Sequence, residues 1–204
     1  GSDSQAIAIH LQDLGVDYFA VAYANEGIHL REAGVTVPIL VLHPQKAHFQ
    51  SLIENNLEPS IYSKSILLEF ISTAKDLSVT DYPIHLKFNT GLNRLGFSVE
   101  DLPEISKLIN KQDLIKVIAI LSHLAATEDS NETEFTTLQL KRFDAICNEA
   151  DITFKDKLLK HVLNTSGIIN YPQAQYDMVR SGIGLYGYGN QTDVDSHLIP
   201  VARL

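Results

Sequence analysis

Two kinds of apolar segment alternate along the chain, and that alternation restricts the fold more than any other feature. "DYFAVA", "VPILVL", "LEPSIY", "PIHLKFN", "IKVIAILSHLA", "KHVLNTS" and "DMVRSGIGLYG" read as strands, short apolar or alternating runs. Between them lie helical segments: "SQAIAIHLQDLG", stopped by Gly15, "NEGIHLREAG", stopped by Gly34, "PQKAHFQSLIENN", "SKSILLEFISTAKDL" and "SVEDLPEISKLINK". The acidic loop "ATEDSNETE" precedes one more, "FTTLQLKRFDAICNEA". A strand and a helix recur every roughly 20 to 30 residues, the mark of parallel βαβ units covered by helices. Seven strands, no GxGxxG after the first and no sign of a second domain fit a (β/α)8 TIM-type barrel better than a doubly wound sheet. About seven of the eight strands are then present, with the first expected before residue 3. "HLIPVARL" reads as the beginning of a further strand, so the chain is expected to be a piece of a longer protein.

At 204 residues, 45% hydrophobic and 20% charged, the chain can bury a substantial core. A net charge of −9, with no cluster of Lys and Arg, argues against a nucleic-acid surface. Cys147 is the only cysteine, which precludes an intramolecular disulfide, and its helical setting suits a small buried hydrophobe. No apolar run approaches the roughly 18 residues that cross a bilayer, and no signal-peptide pattern opens the chain, so a cytoplasmic protein is the expectation. Gly1 and Ser2 read as the remnant of a cleaved tag.

In parallel barrels the reactive groups collect at the C-terminal ends of the strands. The stretch "LKFNTGLNRLGF" brings His85, Lys87 and Asn89 to one face of a strand and Arg94 one Gly-containing turn later. Further strand ends carry Ser122 and His123, then Asn164, Thr165 and Ser166, then Arg180 followed by "SGIG". A single histidine in an apolar strand is commonly a satisfied core residue, but four polar clusters at matching ends point to a shared site. Phosphate is often held by the last loops of such barrels. That predicts a hydroxyl from Thr165 or Ser166 and amides from the backbone around Gly182 and Ile183, although Gly182 and Gly184 also suit a plain turn. Arg94 and Arg180 suit a ligand with more than one anionic group, because a buried arginine needs an acceptor.

In order and spacing, "DYFAVAYANEGIHLREAGVTVPILVL", "LKFNTGLNRLGF", "ILSHLA", "HVLNTSGI" and "DMVRSGIGLYG" resemble the pyridoxal-phosphate barrel domain of alanine racemases. The resemblance covers nearly the whole chain. It implies that Arg94 reaches the phenolic oxygen of pyridoxal 5′-phosphate and the substrate carboxylate. Lys87, at a position carbamylated in some relatives, would support Arg94. His123 and Asn164 would belong to the hydrogen-bond network beneath the cofactor ring. Thr165 stands where the family usually has a serine on the phosphate, with Gly182 and Ile183 supplying amides. Arg180 would donate to the pyridine nitrogen, and no metal is implied.

The family's Schiff-base lysine lies in a motif resembling "KANAYGHG", which this sequence does not contain, and its opposing tyrosine comes from a C-terminal β-domain of the partner subunit. The resemblance therefore implies an incomplete cofactor-binding barrel over residues 3–190 and a connection toward that β-domain over 191–204, the chain alone being inactive. For the parent protein it implies interconversion of L- and D-alanine for peptidoglycan precursors by a cytoplasmic homodimer. A D-amino-acid aldolase, an amino-acid decarboxylase and a pyridoxal-phosphate homeostasis protein are the competing readings.

Overall fold

The strand and helix segments are realised in a computed structural model that describes residues 3–154, 156–189 and 192–201. Gly1 and Ser2, read above as a tag remnant, lie outside the described residues, as do parts of the 191–204 segment. The chain divides into two compact units, one of residues 1–86 and 104–117, the other of 87–103 and 118–204.

The first unit begins with helix α1 (Ser4–Asp13), whose N-terminus is capped by the Asp3 carboxylate accepting from the Ala6 amide. Strand β1 (Phe19–Val21), α2 (Ala24–Glu32), β2 (Ile39–Val41), α3 (Phe49–Glu54), β3 (Glu58–Ile61), α4 (Lys64–Asp76) and β4 (Tyr82–Lys87) follow. Each pairing here is parallel, with Phe19 opposite Ile39, Leu40 opposite Glu58 and Ser60 opposite His85. Helix α4 shows why the repeat folds: Leu67, Phe70 and Ala74, three and four residues apart, share one stripe and are fully buried. Phe70 meets Phe49 edge-to-face at 5.2 Å, and such an aromatic side chain contributes about 2 to 3 kcal/mol by burial. The unit also holds a polar trio around the buried His85. His85 Nε2 lies 2.9 Å from Glu58 Oε2 and 3.2 Å from the Tyr18 hydroxyl, which donates to the same carboxylate.

Helix α5 (Leu102–Asn110) precedes β5 (Ile115–Leu121), and the second unit continues through α6 (Thr133–Thr153), β6 (Leu159–His161) and α7 (Thr165–Asn170). β5 and β6 are parallel, with Leu121 opposite His161. Beyond β4, the Phe88 amide donates to the Leu121 carbonyl at 2.8 Å, so the stretch leaving β4 runs alongside the end of β5.

Six of the seven expected strands form among the described residues; "DMVRSGIGLYG" does not. The amides of Asp177 and Arg180 bond to the carbonyls of Lys160 and Leu163, but no ladder develops. At Gly182 the backbone leaves the extended region, and a 3-10 turn over Ile183–Tyr186 ends at Gly187 with φ of +85°. The alternation of apolar and small residues looks like a strand, yet its glycines permit the turn that is observed. Helix α7, by contrast, is foreshadowed only by its cap. Asn164 accepts from the Gly167 amide at 2.9 Å, satisfying a first-turn N–H that would otherwise lack a partner.

Candidate active site

All eight candidate residues fall within the second unit. Lys87 closes β4 and is only 4% exposed, so the polar stripe of "IHLKFN" is not a surface feature. His85, two residues earlier, is engaged by Glu58 and Tyr18 in the first unit. The Lys87 ammonium is pushed down to about 8 by burial and then by the positive charges of Arg94 and Arg180. Neither Lys87 Nζ nor the Arg94 guanidinium has a hydrogen-bond or ion-pair partner among the described residues, and no carboxylate pairs with Arg180.

Arg94 stands on a turn whose form is dictated locally. Asn89 Oδ1 accepts from the amides of Gly91 and Asn93, both at 3.0 Å, and its Nδ2 donates to Asn93 Oδ1. Asn93 takes the left-handed conformation with φ of 55°. Gly96 closes the turn at φ of +139°, where a Cβ would lie 2.5 Å from the Asn89 nitrogen. Only glycine fits there.

Arg180 is held by four acceptors. Its Nη1 lies 2.5 Å from Nδ1 of His161, and its Nη2 donates to the carbonyls of Ser122 at 2.8 Å and Val162 at 3.2 Å, with His123 Nδ1 at 3.4 Å. Arginine has no lone pair to offer, so both imidazoles present an unprotonated Nδ1 to it. Burial lowers the Arg180 guanidinium to about 10, which leaves it charged at neutral pH. The same burial, followed by Arg180, Arg94 and Lys87, drives His123 down to about 4.

Thr165 is 8% exposed, and its hydroxyl oxygen accepts from the amides of Gly182 at 3.0 Å and Gly184 at 3.2 Å. The two amides on this hydroxyl are those of Gly182 and Gly184; Ile183 opens the 3-10 turn between them with its side chain exposed. Asn164 Oδ1, besides capping α7, accepts from the Thr127 hydroxyl at 2.8 Å. Two features escaped the sequence. His161, fully buried at the end of β6, follows Lys160 and so stands at the start of the expected segment "KHVLNTS" but at the end of the observed strand. The grip of α6 on the Arg94 turn had no sequence signal, because Gln139 and Arg142 look like ordinary helix-surface residues.

Parallel β/α repeats with unpaired cations and a hydroxyl–amide cluster at their strand ends define a class of barrel protein suited to an anionic ligand. The family described as alanine racemase, N-terminal domain, matches residues 1–190, and this chain belongs to it. It is 32% identical over 194 residues to the alanine racemase of Carboxydothermus hydrogenoformans, covering 93% of this chain and 52% of that protein. To the alanine racemase of Thermodesulfovibrio yellowstonii it is 39% identical over 176 residues, covering 86% of this chain and 46% of the relative. The solved alanine racemase of Clostridium difficile 630 superposes with a TM-score of 0.85 at 32% identity, over 93% of this chain and 50% of that one. Its complex with cycloserine gives 0.88 at 31% identity, over 97% and 54%. The fold is therefore the barrel-domain fold of alanine racemases, and the chain spans about half the length of the curated relatives it matches.

Proposed function

We propose that this chain is the cofactor-binding part of a pyridoxal-phosphate-dependent alanine racemase, an isomerase that supplies D-alanine for peptidoglycan precursors as a cytoplasmic homodimer. The observation that carries the reading is the group of three cations, Lys87, Arg94 and Arg180: Arg94 and Arg180 lower Lys87, all three lower His123, and no carboxylate pairs with them among the described residues. Charges left in that state await an anionic ligand. Thr165 with the neighbouring amides supplies the neutral donors that a phosphate takes. The donor set fits the cofactor.

Pyridoxal 5′-phosphate, when bound, supplies an electron-accepting ring that acidifies the α-hydrogen of an amino acid. Thr165 and the amides of Gly182 and Ile183 would hold the phosphate, the Gly182 amide exchanging its bond to the Thr165 hydroxyl for one to the ligand. Arg180, which stays charged at neutral pH, would donate to the ring nitrogen and disfavour its protonation, which suits return of the substrate proton over side reactions. His123, neutral at physiological pH, and Asn164 would support the ring through hydrogen bonds. Arg94 pairs with the substrate carboxylate and the phenolic oxygen. Lys87 would support Arg94 as a neutral or carbamylated amine rather than as the ammonium, which repels a guanidinium.

Racemisation removes a proton from one face of the α-carbon and returns it to the other, so two positioned acid–base groups are required. The residues gathered here bind and orient, and we assign those two groups to parts of the intact protein outside residues 3–190. The test compares the intact protein with this chain, each incubated with L-alanine and pyridoxal phosphate. D-Alanine is expected from the intact protein alone; formation by this chain above the rate of free cofactor would overturn the division of labour. An intact protein that makes no D-alanine would overturn the function itself.

A further inference from the structure

Arg94 has no partner for its guanidinium among the described residues, so its place is set by the backbone that carries it. The bonds from the Asn89 side chain shape the turn internally but do not fasten it to anything else. The Asn89 amide ties its start to the Phe97 carbonyl at 2.9 Å, and α6 holds its middle. Arg142 Nη1 donates to the Thr90 carbonyl at 3.0 Å. Gln139, fully buried, donates from Nε2 toward the Thr90 hydroxyl at 3.4 Å and accepts from the Ala125 amide at 3.0 Å. Gly91 lies so close to Phe135, Gln139 and Arg142 that a Cβ would come within 3.0 to 3.4 Å of all three. Residues 135, 139 and 142 fall on one helical face, which grips residues 90 and 91. On its other side Thr90 shares a hydroxyl bond of 2.9 Å with Ser122, whose carbonyl accepts from Arg180.

We propose that Gln139 and Arg142 are positioning residues, which hold the 89–94 turn by its backbone and so fix the direction from which Arg94 meets the substrate. The proposal rests on the reading of Arg94 given above. A buried glutamine costs free energy unless its amide is used, and here both its ends bind segments that carry site residues. Arg142 is exposed apart from its bond to the turn, so replacing it leaves the core of the unit untouched.

The experiment uses the intact protein with Arg94→Gln, Arg142→Ala, Arg142→Lys and the Arg94→Gln/Arg142→Ala pair. Arg142→Ala is expected to raise KM for alanine about fivefold with kcat changed less than about twofold, and Arg142→Lys to recover most of the loss. The paired variant is expected to be no worse than Arg94→Gln, since both changes act through one guanidinium. An unchanged KM in Arg142→Ala beside a raised one in Arg94→Gln, or losses that multiply in the pair, would overturn the proposal. Should Arg94→Gln itself leave KM unchanged, the fault lies in the role given to Arg94, and titration of Lys87 by carbon NMR of labelled lysine decides the positioning claim. A rise of the Lys87 midpoint in Arg142→Ala, in the direction seen for Arg94→Gln, supports displacement of the turn; an unmoved midpoint refutes it.

Discussion

Arg180 Nη1 meets His161 Nδ1 at 2.5 Å, a contact that obliges the imidazole to face a cation with its lone pair. Arg180 Nη2 is engaged by two main-chain carbonyls, which leaves Nε and one hydrogen of Nη1 for a ligand. Arg180→Lys keeps the charge and loses the fork. One or more buried acceptors then go unpaired, at about 1 to 3 kcal/mol each, so thermal unfolding should fall by several degrees even without cofactor. A melting curve checks this.

His123 and Lys87 predict opposite limbs of a pH–stability profile. The His123 midpoint is lowered from 6.5 to about 4, so between those values the unfolded chain binds more protons and stability is lost as pH falls. The Lys87 midpoint is lowered from 10.5 to about 8, so stability rises as pH climbs from about 8 toward 10.5. Urea titrations across pH should show both slopes, the first diminished in His123→Asn and the second in Lys87→Met.

Thr165→Ser retains the hydroxyl on which the Gly182 and Gly184 amides converge, whereas Thr165→Val removes it and leaves those amides without an acceptor. Affinity for pyridoxal phosphate, followed by its absorbance, should survive the first change in the intact protein and fall about tenfold in the second. Equal affinities would remove Thr165 from the phosphate site.

Gly96→Ala places a methyl 2.5 Å from the Asn89 nitrogen and 2.6 Å from the Phe88 carbonyl carbon at a φ few other residues adopt. The cost should be about 2 to 4 kcal/mol in chemical denaturation. Because Asn89 begins the turn that carries Arg94, the loss should be accompanied by a raised KM for alanine in the intact protein.

Local pattern sufficed for much of this molecule. Leu67, Phe70 and Ala74 announce the buried face of α4 through their spacing alone, since helical periodicity is a property of the chain and not of its surroundings. The strand ends at Lys87 and Ser122 were legible almost as readily, and the barrel rule then supplied the side on which chemistry should be sought. Pattern failed at "DMVRSGIGLYG", where two-residue alternation is satisfied by a strand and by a glycine-permitted turn alike. There the choice was made by the carbonyls of Lys160 and Leu163, which capture the amides of Asp177 and Arg180.

The sequence by itself determined the order of elements, the family and the identity of the polar residues at the strand ends, because each depends on neighbours close in the chain. Tertiary structure alone decided which of those residues act together. Arg180 lies 57 positions from His123, and Arg142 lies 52 from Thr90; no periodicity spans such intervals. The depressed midpoints of Lys87 and His123 likewise arise from burial and from charges brought close by folding, and the same residues would titrate ordinarily in an unfolded chain.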